Sequence, residues 1–274
     1  MTVTGETKGI HSFRPRPSGL ASRSDFADRH PVLMWLAPFA SAAALLVMWQ
    51  ALSMRYPPFI LPGPLSVAER FFASLRDGTL IGNILTTLSE AIPGLLLGTV
   101  GAFALGFPVA KSRLAGRLLS PLIIATQGVP FVAVAPLLFI WFGSGITTKI
   151  LVCALIVFFP ITINVIAGIR SVPTTLRDLF RSLSASPVET FTKLELPAAL
   201  PFIFAGLRVG STLSMVGAIT GEFLSSDRGL GFMINLGNGL YDTSLVITGI
   251  LCIVLIALAL YGLVRVLEYG LTHP

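Results

Sequence analysis

Eight polar side chains stand inside otherwise apolar runs: Glu90, Gln127, Asn164, Ser211, Thr212, Ser214, Thr220 and Glu222. A polar group at membrane depth is expensive, so such residues turn towards a water-lined path or towards another helix. Gln127 opens the stretch Gln127-Gly128-Val129-Pro130-Phe131, a Gly-x-Pro break whose freed backbone groups can line a pathway. An interhelical hydrogen bond that satisfies the break is the competing role. Met215, between Ser214 and Val216, suits an adaptable gate or plain packing. Gln127, Pro130, Phe131, Asn164, Ser211, Met215 and Glu222 are therefore the candidates for a translocation path. Glu222, near the end of its run, is expected to be interfacial and solvated, whereas Glu90 is deeper and needs a partner.

These residues fit passage rather than bond-making. No Gly-x4-Gly-Lys-Ser/Thr run occurs, so the chain has no P-loop to cradle a nucleotide. Gly229-Leu230-Gly231 and Gly237-Asn238-Gly239 follow no strand, which argues against a phosphate-binding role. His11, His30 and His273 are all terminal, and no nucleophile-base cluster is visible. Cys153 and Cys252 lie in apolar runs, indicating neither a disulfide framework nor a zinc site. No catalytic residue, metal ligand or bound cofactor is expected, and any energy must come from a partner.

The elements that position these residues follow from composition. With 54% hydrophobic and 12% charged residues over 274, and a mean hydropathy of +0.84, the chain is too apolar for a soluble domain. Residues 1–31 read as a polar tail, with a short interfacial helix over 25–29, and 32–274 as a membrane domain. Six spans are expected, over 32–54, 82–110, 118–142, 149–168, 199–221 and 243–267, with the third broken at Gln127–Pro130 and again at Pro136. Residues 66–76 form an interfacial amphipathic helix, and the loop 222–242 dips back towards the membrane. Gly98, Gly101, Gly106, Gly206 and Gly210 permit close helix approach. Fourteen of the 19 Lys and Arg residues fall on the side that holds both termini, which the positive-inside rule makes cytosolic. Membrane orientation thus accounts for the net charge of +6, and no nucleic-acid partner is needed.

A polar segment over 174–197 protrudes on that same side. Leu176, Leu179, Phe180 and Leu183 recur at i, i+3, i+4 and i+7, one face of a short helix from which Arg177, Asp178 and Arg181 fall away. Ser184-Ala185-Ser186 interrupts the pattern. Ser186-Pro187-Val188-Glu189 restarts it with a capping box: Ser at N-cap, Pro at N1, Glu at N3. Two short helices meeting at a tight turn are expected, the second closed by Pro197 and Pro201.

This segment resembles the E-A-A-x3-G-x9-I-x-L-P signature of bacterial ABC-importer permeases. Asp178-Leu179-Phe180 take the E-A-A places, Ser184 the Gly, Leu194 the Ile, and Leu196-Pro197 the closing pair. Serine in place of glycine forfeits easy access to positive φ, so the turn is either not left-handed or carries strain. Phe59-Ile60-Leu61-Pro62-Gly63-Pro64, Val134-Ala135-Pro136-Leu137 with Trp141-Phe142-Gly143, and Gly221-Glu222-Phe223 with Arg228-Gly229-Leu230-Gly231-Phe232 look like the nitrate, sulfonate and taurine branch. Phe158-Phe159-Pro160 and the run from Ala167 to Pro173 look like members that move pyrimidine vitamin precursors or riboflavin-like heterocycles.

The resemblance implies an all-α permease in the bacterial inner membrane, of the type I importer kind, with both termini cytosolic and two copies in the assembly. It further implies two ATPase subunits, which bind ATP and magnesium, and an external solute-binding protein. Asp178, Leu179, Phe180, Ser184, Ala185, Ser186, Pro187, Phe191, Leu196 and Pro197 would form the surface seated on the ATPase. The cargo would be nitrate, a sulfonate or a heterocyclic vitamin precursor. An ion-gradient-driven transporter is the main rival; it would show a buried acid relay and an inverted repeat.

Overall fold

A computed structural model of the chain describes residues 31–126 and 128–272, with side chains from Phe39 onward. Of the expected tail over 1–31, residues 1–30 with the interfacial helix lie outside the described residues, as do the three histidines and Gln127, while Pro31 begins the first helix. The chain divides into two units, Met1–Arg55 and Tyr56–Pro274. The first contains α1 (Pro31–Ser53), a 23-residue helix where the first span is expected.

In the second unit every described element is helical: α2 (Pro64–Arg76), α3 (Thr79–Lys111), α4 (Arg113–Thr126), α5 (Phe131–Phe142), α6 (Ile146–Arg170), α7 (Thr174–Ser182), α8 (Pro187–Thr190), a π turn (Phe191–Glu195), α9 (Leu196–Leu224), α10 (Leu230–Gly239) and α11 (Thr243–Thr272). Four runs are long and apolar enough to cross a bilayer: Thr79–Lys111, Ile146–Arg170, Pro187–Leu224 and Thr243–Thr272. The pair α4 and α5, bent by 98° at its break, counts as a fifth if the two helices form one broken span. The described residues therefore give four or five spans against the six expected, with α1 at the place of the remaining one.

Helix α6 is the centre of the unit, packed between α3 and α9. Small residues let the three backbones meet. A Cβ placed on Gly94 of α3 would stand 2.2 Å from the Cys153 Cβ, and one on Gly217 of α9 would stand 2.6 Å from the Cys153 Cα. The expected seams at Gly98 and Gly210 are equally tight, 2.7 Å from the Ala154 carbonyl oxygen and 2.8 Å from the Ile161 side chain. Such contacts replace the hydrophobic drive that lipid does not supply. Val157, Ile161 and Val165 fill the space between Ala102 of α3 and Ile203 of α9. Both cysteines are free and buried.

Two expectations built on proline are corrected. Pro136 does not break the third span, because it lies inside the continuous helix α5. Pro197 and Pro201 do not close the second elbow helix, since the chain runs on from α8 through the π turn into α9. The Leu196 amide bonds the Phe191 carbonyl, a five-residue step. That wider turn takes up the register where the Pro197 ring would crowd an α-helix. Pro197 then stands in the first turn of α9, directly after the π turn.

Candidate functional site: an exposed elbow and two buried carboxylates

The elbow is two cap motifs back to back. At the end of α7 the Ala185 amide bonds the Phe180 carbonyl at 3.0 Å and the Ser184 amide bonds the Arg181 carbonyl at 2.9 Å. This is a Schellman pattern, and its left-handed position is Ser184, at φ +55°. The turn is thus left-handed without a glycine. The expected capping box follows: the Glu189 amide donates to Ser186 Oγ at 3.2 Å, and the Ser186 amide donates to Glu189 Oε2 at 3.0 Å.

The predicted apolar face of α7 forms, and among the described residues nothing covers its leucines. Leu176, Leu179 and Leu183, with Val188 of α8, are between 42% and 70% exposed, and α7 has no buried residue. Asp178 is exposed and, among the described residues, pairs only with Arg181, at 3.3 Å. Ser184, Ser186, Pro187 and Pro197 are also exposed, while Phe180, Ala185, Phe191 and Leu196 are half-buried.

What holds the elbow lies behind it. Glu195, buried between Leu194 and Leu196, accepts from Lys111 Nζ at 2.7 Å and has Arg177 Nε 3.6 Å away. Arg177 also donates to the Ile169 carbonyl at 2.5 Å. Phe191 meets Phe107 edge-on at 5.2 Å. The end of α3 is thereby joined to both halves of the elbow. Sequence reading passed over Glu195 as a spacer in the signature; a lone carboxylate between two leucines was the available signal.

A second carboxylate closes the far end of the same helices. Glu222 is 1% exposed and accepts from Thr87 Oγ1 of α3 at 2.7 Å and from the Gly231 amide at the start of α10. It is therefore not solvated at an interface as expected. The Leu230 amide donates to Thr87 Oγ1 at 2.9 Å, and the Gly229 amide to Asn83 Oδ1 at 2.9 Å. Beside it, Glu90 pairs with Lys149 Nζ at 2.9 Å, which also reaches Ser226 at 2.8 Å. The partner that Glu90 requires is thus Lys149, in the first turn of α6.

The Gly229-Leu230-Gly231 pattern is explained by this carboxylate. A Cβ on Gly229, whose φ is +111°, would stand 2.1 Å from Glu222 Oε1, and one on Gly231 would stand 2.9 Å from Glu222 Oε2. A helix N-terminus with free amides is a natural seat for a carboxylate.

The remaining pathway candidates are dispersed. Phe131 stacks on Phe159 at 5.1 Å, and Pro130 is exposed at the start of α5. Asn164 donates to the Pro160 carbonyl at 2.9 Å and packs against Gly206. Ser211 is buried and bonds the Arg208 carbonyl, within its own helix. Met215 is 1% exposed, in a cluster with Ala91, Cys153 and Ala218. Glu222 and Lys149 line a cavity of about 610 Å³ with Ser226 and Asn235. Among the described residues no group of His, Cys, Asp and Glu could hold a metal ion.

Apolar helices long enough to span a bilayer, with an exposed elbow between them, fit the class of transport permeases, and comparison gives the family. Residues 94–273 match the inner membrane component of binding-protein-dependent transport systems. The chain is 43% identical over 226 residues to a riboflavin transport system permease protein of Chloroflexus aurantiacus, covering 82% of this chain and 84% of that one. It is 32% identical to a formylaminopyrimidine transport permease protein of Halalkalibacterium halodurans (72% and 79% covered) and 31% identical to the taurine transport system permease protein of Escherichia coli (84% and 86% covered). The chain belongs to this family and is an ABC-importer permease for small solutes.

Proposed function

We propose that this chain is the membrane subunit of an ATP-driven importer and that its elbow, residues 174–197, is the surface on which an ATPase subunit docks. The observation that carries this reading is the uncovered leucine face of α7 on a segment otherwise fixed by two caps and a half-buried ion pair. An apolar helix face left in solvent is a liability unless a partner covers it. A pair of these chains works with two ATPases, each binding ATP and magnesium, and with an external solute-binding protein. The bilayer in question is a bacterial inner membrane, and both termini lie on the elbow side. Closure of the ATPases pushes the elbow, and α3 and α9 move with it because Glu195 and Phe191 bind them to it.

Of the cargo classes open to such a protein, similarity favours a heterocyclic vitamin precursor of the riboflavin or pyrimidine kind over a sulfonate or nitrate. The test is uptake of labelled riboflavin and taurine by cells expressing the whole system, with the Asp178→Ala/Phe180→Ala double variant alongside. Loss of uptake in the variant with normal membrane insertion is expected. Unchanged uptake, or uptake that survives ATP depletion, overturns the reading in favour of an ion-gradient transporter.

A further inference from the structure

Two adjoining cavities of about 500 and about 590 Å³ open where the α3–α4 turn meets the end of α6 and the start of α7, and they share Arg113 and Arg170. Between them they expose Lys111, Arg113, Arg117, Arg170, Arg177 and Arg181. Four of these are committed: Lys111 and Arg177 to Glu195, Arg181 to Asp178, and Arg170 to the Val109 carbonyl at 2.8 Å. Arg113 and Arg117 have no ion-pair partner among the described residues. The Ser120 hydroxyl, on the wall of the second cavity, is buried without a hydrogen-bond partner.

The order of residues along α4 identifies what would satisfy them. Arg113, Arg117 and Ser120 rise i, i+4, i+7 along one face, and the same face continues into Pro121 and Ile124. Leu114, Leu118 and Leu122 beside it are exposed as well. Cationic donors thus give way, within one helix, to an exposed apolar strip. A free anion matches only the first part of that gradient, and an acidic peptide has nothing to lay along the second. Basic pockets between spans are a general way of holding lipid headgroups.

We propose that this cleft binds the phosphate headgroup of an anionic phospholipid, Arg113, Arg117 and Ser120 holding the phosphate and Pro121 and Ile124 carrying an acyl chain. The proposal needs only that the chain spans a bilayer and stands whether or not the elbow docks an ATPase. The full-length permease, purified in detergent, is titrated with palmitoyl-oleoyl phosphatidylglycerol, with phosphatidylcholine of the same chains, and with inorganic phosphate, and bound lipid is counted by native mass spectrometry. Selective retention of phosphatidylglycerol is expected, reduced about thirtyfold in affinity by Arg113→Gln/Arg117→Gln. The single variant Arg117→Gln gives a smaller loss in the same direction and serves if the double variant does not fold. Equal retention of both lipids, or retention unaltered in a variant that melts like the parent, overturns the proposal. So does equal protection by inorganic phosphate, which would mark a soluble anion, or loss of ATPase binding with lipid retention unchanged, which would mark an acidic protein partner.

Discussion

Lys111, the last residue of α3, reaches the carboxylate of Glu195, the residue that leads into α9, at 2.7 Å. At the other end of the same two helices Thr87 bonds Glu222. The antiparallel pair is therefore fastened twice by a buried glutamate, and the two glutamates are ~40 Å apart along α9. That separation exceeds the ~30 Å of hydrocarbon between headgroup layers, so the two fasteners do not both lie within the apolar zone. Motion imposed at the elbow must move both helices together.

The first prediction concerns the fastener at the elbow. A double-mutant cycle with Lys111→Met and Glu195→Gln should show a coupling of about 2 kcal/mol, below the range for wholly buried pairs because the Lys111 side chain is 37% exposed. Melting temperature in detergent reads the coupling, and protease cutting between α7 and α8 should accelerate in either single variant. Additive losses with unchanged cutting would show that the pair does not hold the elbow.

Ser184 sits at φ +55°, a conformation that glycine adopts freely and serine does not. Ser184→Gly should therefore stabilise the turn by about 1 kcal/mol, and Ser184→Val should destabilise it by at least as much. Amide exchange across residues 183–187 gives the measurement; slower exchange in the valine variant would refute the strain argument.

The local half of this site was legible and the long-range half was not. Ser186 and Glu189 are three residues apart, so their capping box could be read from spacing alone. The α7 leucine face followed from its period. Pro197 misled because a proline ordinarily ends a helix, and only the π turn before it shows why this one does not. Glu222 was placed in water because hydropathy marks where a run ends and not what folds back over it. Its partners Thr87 and Gly231 come from another span and from the next helix. The family signature itself spans the elbow, whereas the residue that anchors the elbow occupies one of its unspecified positions.

Asp77 offers a pH-dependent reading outside the spans. Hydrogen bonds from the Thr79 hydroxyl at 2.6 Å and the Thr79 amide at 2.9 Å hold its carboxyl below the usual range. The bonds favour the ionised form, so their contribution is complete above the ordinary aspartate value near ~4 and fades as pH falls through the lowered one. Amide protection at the start of α3 should stay level from neutral pH down to that region and then drop. Asp77→Asn should remove the drop, and an unchanged profile in that variant would assign it to another group.

The closest helix contacts make the sharpest test, because the two glycines that face Cys153 meet different atoms. A Cβ on Gly94 collides with the Cys153 Cβ at 2.2 Å, whereas one on Gly217 collides with the Cys153 Cα at 2.6 Å. Gly94→Ala and Gly217→Ala should each destabilise the permease by about 1–3 kcal/mol, since overpacking a seam forces backbone shifts. Adding Cys153→Gly removes the atom that Gly94→Ala strikes, at the helix penalty of about 1 kcal/mol that a glycine carries. It leaves the Cα that Gly217→Ala strikes. The second substitution should therefore recover much of the melting temperature lost in Gly94→Ala and none of that lost in Gly217→Ala. Equal recovery in both, or in neither, would mean that α3, α6 and α9 do not meet at this residue in the way the seam requires.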